Sequence, residues 1–136
     1  MIRAAIFALL CGTSVHAEAY CADLTALTNH SAGTITLPDG TPGTCVTSLD
    51  LTGARAANCR WPFEYRAEAA TTAFTTLLNA TTRCLNANGV ADQGVNHPDS
   101  YDLRTFDTET AQISVSIKDK GALQQTYVFL RVAPAP

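Results

Sequence analysis

Cys59-Arg60-Trp61-Pro62-Phe63-Glu64-Tyr65-Arg66 leads directly into Ala67 to Leu85, and within this stretch the hydrophobic period changes. First Cys59, Trp61, Phe63 and Tyr65 alternate with Arg60, Pro62, Glu64 and Arg66, the period of two that marks a half-buried strand. From about Ala67 onward Ala70, Phe74, Leu77, Leu78, Thr81, Cys84 and Leu85 recur at steps of three and four. That is the stripe of a helix lying on a core. Threonines 71, 72, 75, 76, 81 and 82 are mediocre helix formers, so the helix must depend on packing Phe74, Leu77 and Leu78 against a sheet. Pro62 places its strand at an edge or a bulge.

Toward the N-terminus, Cys45 to Leu51 reads as a strand that Thr52-Gly53-Ala54 turns back into the Trp61 strand. Ile35 and Leu37 alternate with Thr34 and Thr36 in a short strand from Gly33 to Leu37, which the turn residues Pro38 to Gly43 end. Glu18 to Leu27 fits a helical turn or extended chain equally well. Beyond the helix, Asn86-Ala87-Asn88-Gly89 is a stop signal, and a polar loop runs from Asp92 to Asp99. Three strands follow: Tyr101 to Phe106, Ala111 to Lys118, and Leu123 to Val132, the last two joined by a three-residue hairpin loop ending at Gly121. Leu123, Tyr127 and Phe129 on one side of the last strand, with Val128, Leu130 and Val132 on the other, indicate an interior strand covered at least in part on both faces. The expected architecture is α+β: an antiparallel sheet of about five strands, one long amphipathic helix across one face, and two disulfides.

The first 17 residues have the form of a cleavable export signal: Arg3, a short apolar run from Ala4 to Cys11, and Val15-His16-Ala17 at the cleavage site. The apolar run is well short of the roughly 20 residues that span a membrane. A lipoprotein signal would also use a cysteine such as Cys11, but Leu10 stands where Gly or Ala normally precedes it. Residues 18–133 then form one α+β domain and 134–136 a tail. Cys21, Cys45, Cys59 and Cys84 remain, an even number in a short exported chain, and hence two bridges. Comparing the strand length with the helix length favours Cys59 with Cys84 and Cys21 with Cys45. The competing pairing is Cys45 with Cys59 and Cys21 with Cys84.

Functional signals are sparse. No nucleophile elbow, zinc-protease helix, phosphate loop or dinucleotide fingerprint is present, so no catalytic residue, cofactor or metal site is expected. Twelve acids against nine bases, without charged runs, give no nucleic-acid footprint and no membrane-surface helix. Two groups of residues stand out as binding candidates. Arg60, Glu64 and Arg66 share the outer face of their strand, where two guanidinium groups suit a carboxylate or an acidic partner loop. His97 and Asp99 lie in the loop Asp92 to Asp102, whose composition also suits a solvated connection. The reading that follows is an exported, periplasmic or secreted, non-enzymatic binding or accessory protein with a protein partner in the cell envelope. The alternative is a small hydrolase or metal-dependent enzyme centred on the Asp92–Asp102 loop.

Overall fold

The structure, a computed structural model, describes residues 15–28, 34–97 and 100–136. Most of the expected leader, with Cys11, and also His30, Gly33 and the candidate Asp99 lie outside the described residues. Among the described residues two α-helices and six strands follow one another: α1 (Val15–Thr28), β1 (Thr44–Leu49), β2 (Arg55–Glu64), α2 (Glu68–Leu85), β3 (Val90–Ala91), β4 (Tyr101–Asp107), β5 (Ala111–Lys120) and β6 (Gln125–Pro134). The strands make one sheet in the order β1-β2-β6-β5-β4-β3, antiparallel at every pairing. The α+β class and the antiparallel sheet agree with the sequence; the sheet has six strands, and a second helix joins the long one.

That second helix is α1, in the segment whose sequence fitted helix or extended chain. Tyr20, Leu24 and Leu27 are buried, spaced by four and three so that they fall on one side of the helix. They face α2 and β6. The Tyr20 hydroxyl shares a 2.7 Å hydrogen bond with Thr81 Oγ1, which also donates to the Leu77 carbonyl at 2.8 Å. A threonine in the middle of a helix is thus satisfied on both counts. Burial pushes the Tyr20 phenol well above its ordinary range, with the Thr81 bond opposing in part.

Helix α2 covers β5, β6 and β2 through Ala70, Ala73, Phe74, Leu77, Ala80 and Thr81. Opposite it, Cys59 and Trp61 of β2, Val128, Leu130 and Val132 of β6, Ile113 and Val115 of β5 and Phe106 of β4 complete the core. The helix ends at Asn86, which adopts the left-handed conformation (φ 49°) and donates its N–H to the Thr82 carbonyl, as expected of an Asn C-terminal to a helix. Trp61 is buried beneath the segment 34–43. Its Nε1 donates to the Thr41 carbonyl at 3.2 Å, and a Cβ on Gly43 would meet its ring at 2.6 Å. Only glycine lets that backbone approach so closely.

Three local expectations change. The Gly33–Leu37 strand reduces to a single bridge between Thr36 and Pro42, because the segment closes over Trp61 and does not join the sheet. The β5–β6 connection is longer than a three-residue loop: Lys120 still pairs with Gln125, and a 3₁₀ turn at Gly121–Leu123 closes it through Gln124 at φ 51°. Pro62, by contrast, sits as expected at a local edge, because β1 reaches only Arg60 and leaves residues 61–64 unpaired on that side.

The third change is the disulfide pattern. Cys21 is bonded to Cys84 and Cys45 to Cys59, the opposite of the pairing that strand and helix lengths favoured. Cys59 lies in mid-strand, directly across from Cys45 in the hairpin, with Cα atoms 3.9 Å apart. Cys84 instead meets α1, a helix the length comparison did not include.

The two bridges close loops of different length, with sequence separations of 63 and 14. Loop-closure entropy then predicts that replacing Cys21 and Cys84 by serine costs about 4 kcal/mol and replacing Cys45 and Cys59 about 3 kcal/mol. Urea unfolding of the two double variants measures the order. The buried phenol makes a second prediction. Its folded-state pKa is raised above the ordinary tyrosine value of 10.0, so its contribution is intact below that pH and declines as pH rises beyond it, when only the unfolded chain ionises. Tyr20→Phe should flatten the fall of thermal stability above pH 10, while lowering stability at neutral pH by about 1 kcal/mol through the lost hydrogen bond.

Candidate functional site

Both helices pack on one face of the sheet, and the ladder registers state which side chains are left on the other. Rows run across the strands of the uncovered face. One is Val46, Asn58, Arg131, Ser114, Thr105 and Val90; the next is Thr44, Arg60, Phe129, Ser116 and Leu103. A third holds Pro62, Tyr127, Lys118 and Tyr101, and a fourth Glu64, Gln125 and Lys120. Directly opposed residues of antiparallel strands share a face, so these assignments rest on pairing alone.

Phe129 is at the centre of this grid. Its ring stacks on Tyr127 with centroids 5.6 Å apart and planes 16° from parallel. Arg60 lies beside it on β2, Arg131 two residues along on β6, and Lys118 diagonally across on β5. The cations lie close to aromatic faces: the Arg60 guanidinium carbon is 5.9 Å and Lys120 Nζ 5.7 Å from the Tyr127 centroid, and Lys118 Nζ is 5.2 Å from that of Tyr101. Such contacts hold a cation at modest energy without removing its charge. Small polar residues surround the rings and leave two depressions. One, of about 330 Å³, is floored by Ser114 and Ser116 and walled by Tyr101, Leu103, Phe129 and Arg131. The other, of about 230 Å³, lies between Phe129, Arg60 and Asn58 and the edge residues Thr44 and Val46.

Charge is unevenly shared between the two sides. Arg60, Lys118, Lys120 and Arg131 are four of the eight bases beyond residue 17, whereas Glu64, Asp107 and, at the β1–β2 turn, Asp50 are three of the twelve acids. The uncovered face is therefore net positive on a chain that is acidic overall. The Asp107 carboxylate accepts from Gln112 Nε2 at 2.9 Å. Asp50, in the β1–β2 turn, is held below the ordinary carboxylate range chiefly by the Thr52 hydroxyl, with Arg131 contributing.

The residues singled out in the sequence are separated by the structure. Arg60 and Glu64 are on the open face as expected. Arg66 is not. It has left the strand in the left-handed conformation (φ 56°), turning the chain from β2 into α2. Its N–H donates to Thr126 Oγ1 at 2.8 Å and its Nε to Asp119 Oδ2 at 2.8 Å, while Thr126 Oγ1 donates to the other Asp119 oxygen at 2.6 Å. A non-glycine residue at positive φ is strained, and these bonds hold it there. They border a cleft of about 280 Å³ on the helix side, lined by Arg66, Thr71, Phe74, Asp102, Asp119 and Thr126 among others.

His97 is exposed and joins Tyr101 through backbone bonds. Asp102 is held by the Nε and Nη2 of Arg104 at 2.7 and 2.9 Å. Asn96 bonds the backbone of Leu103 as a neighbouring strand would, and Asp92 accepts from Gly94 N. These are the bonds of a structured connection. Among the described residues no group of three or more His, Cys, Asp or Glu side chains is placed to hold a metal ion, and no helix is long and apolar enough to cross a membrane.

Tyr127 and Phe129 were the missed signal. Their alternation suits the second covered face of an interior strand; β6 is interior in strand order, but only one of its faces lies under the helices. Arg131 and Lys118, at matching parity on neighbouring strands, were the clue to an open face.

No protein-family model matches the chain. No curated protein sequence matches it. Among solved structures, CalU16 from Micromonospora echinospora is similar at 13% identity over 69% of this chain and 68% of that one, with a TM-score of 0.33. The likeness is too low to bear on function. The fold and site together define a stapled, two-layer α+β protein in which the described residues leave one sheet face uncovered.

Proposed function

We propose that this protein is an exported, non-enzymatic binding module that engages an acidic partner in the cell envelope through the uncovered face of its sheet. The observation that carries this reading is the gathering of Arg60, Lys118, Lys120 and Arg131 around the Tyr127–Phe129 stack, on a chain whose remaining charge is strongly negative. A sheet face bearing aromatic rings and guanidinium groups is suited to recognition, since such side chains carry a large share of interface energy. Separation of the two signs steers an acidic partner toward this side. From Arg60 to Arg131 the Cα separation is roughly 8 Å by sheet spacing, a span that two carboxylates of one partner segment can bridge.

Two disulfides fit an oxidising environment, and with the leader read in residues 1–17 they support periplasmic or secreted placement. Helix α1 begins at Val15, so cleavage after Ala17 would remove its first three residues and leave Glu18 in its first turn. The buried stripe from Tyr20 to Leu27 stays with the mature chain.

Binding to immobilised polyglutamate tests the proposal. Retention should weaken as salt is raised through the physiological range, and Arg60→Glu with Arg131→Glu should weaken it roughly tenfold, the loss of two exposed charge contacts at about 0.7 kcal/mol each. His97→Ala should leave it unchanged. Equal retention of wild type and the double variant would remove the open face from the account.

A further inference from the structure

The sheet has two ends, and they are not alike. On one side β3 has only two residues. On the other, β1 runs Thr44-Cys45-Val46-Thr47-Ser48-Leu49 without a charge, a proline or a bulge in its pairing with β2. Natural sheets ordinarily blunt such an edge with lysine, proline or a covering segment. Here the strand and its turn are exposed, with Val46 at 61%, Leu49 at 66% and Leu51 at 108% of full accessibility. Three of the seven large exposed apolar side chains of the described residues thus fall within one short hairpin.

The ladder shows which backbone groups face outward. Asp50 N–H donates to the Ala54 carbonyl at 2.9 Å, making Asp50 and Ala54 a hydrogen-bonded pair. Alternation then makes Leu49, Thr47 and Cys45 the non-hydrogen-bonded positions opposite Arg55, Ala57 and Cys59. The 3.9 Å Cα separation of Cys45 and Cys59 agrees, since pairs of that kind approach most closely. Residues 45, 47 and 49 therefore turn both N–H and C=O away from β2, toward the free edge.

We infer that β1 pairs with β1 of a second copy of this chain, antiparallel, with Thr47 on the two-fold axis. Thr47 then exchanges two hydrogen bonds with its counterpart. Cys45 does the same with Leu49 of the second copy, and Leu49 with its Cys45. The register keeps inward and outward residues in phase, because Val46 falls opposite Ser48 and both lie on the uncovered face. A second copy is the occupant favoured by charge: an uncharged strand is complementary to itself, and the association is isologous and closes as a dimer. The cationic faces do not oppose it, since the two Arg60 residues, each level with Thr44, would be three strand spacings apart across the sheet, about 14 Å, and about 20 Å apart along it, beyond the roughly 8 Å screening length at physiological salt. The result is one continuous twelve-stranded sheet with a doubled open face, and the inference stands whatever that face binds.

Thr47→Pro is the informative variant, because the lost N–H belongs to the free edge and not to the β1–β2 ladder. Thr47→Lys charges the edge without fixing φ and serves as the second variant. Sedimentation equilibrium from about 10 μM to about 1 mM covers the affinities at which a small interface assembles. The expected result is a mass approaching two chains for wild type and one for each variant. Hydrogen exchange should show the Cys45, Thr47 and Leu49 amides at least tenfold slower in concentrated wild type than in Thr47→Lys. A wild-type mass of one chain throughout overturns the inference, as do assemblies larger than two chains or a dimer that survives both substitutions.

Discussion

The structure depends on the docking of both helices against the same face of one sheet. Helix α2 supplies Phe74 and Leu77, α1 adds Tyr20, Leu24 and Leu27, and the Cys21–Cys84 bond ties the two helices together. Burial of these side chains against β2, β5 and β6 is the principal favourable term, at about 2 kcal/mol for each large apolar group. A threonine-rich helix such as α2 has little stability of its own, so the sheet and α1 fix it in place. Because all the helical cover is on one side, the sheet acquires a dry face and a wet one.

Register converts that asymmetry into chemistry. A slip of one residue would exchange the two faces of a strand, and the Cys45–Cys59 bond locks the first hairpin against it. With registers fixed across all six strands, Cys59, Trp61, Val128, Leu130, Ile113 and Val115 point to the helices. Arg60, Phe129, Arg131, Tyr127 and Lys118 necessarily point away. The network of Arg66, Asp119 and Thr126 sets the angle at which β2 turns into α2, and so keeps the helix on its side. The aromatic and cationic face is thus a consequence of alternation, with its polarity maintained by packing elsewhere.

Much of this was legible in the residues. The change of period near Ala67 located β2 and α2 within a few residues, Asn86 marked the helix end, and the alternation of Ala111 to Ile117 identified β5. Helix α1 was not legible because its apolar residues, many of them alanines, are spread around the helix and form no stripe, so one side acquires meaning only against α2. The disulfide preference failed for a related reason: chain lengths alone did not reveal that Cys45 and Cys59 face each other in a hairpin. Arg66 looked like a member of the Arg60 face because strand periodicity was extended two residues too far. Its left-handed backbone, which sends it toward Asp119, arises from a tertiary contact with no local signature. Tyr127 and Phe129 were assigned to a covered face because apolar alternation does not distinguish a helix from solvent above a strand.

Amide chemical-shift mapping during titration with a short polyglutamate most directly tests the claim that the wet face of the sheet is the working surface. Perturbations should cluster at Arg60, Lys118, Tyr127, Phe129 and Arg131 on strands β2, β5 and β6, leaving the α1 and α2 amides in place. Shifts concentrated instead around Arg66, Asp102 and Asp119 in the helix-side cleft, or spread evenly over the molecule, would contradict it.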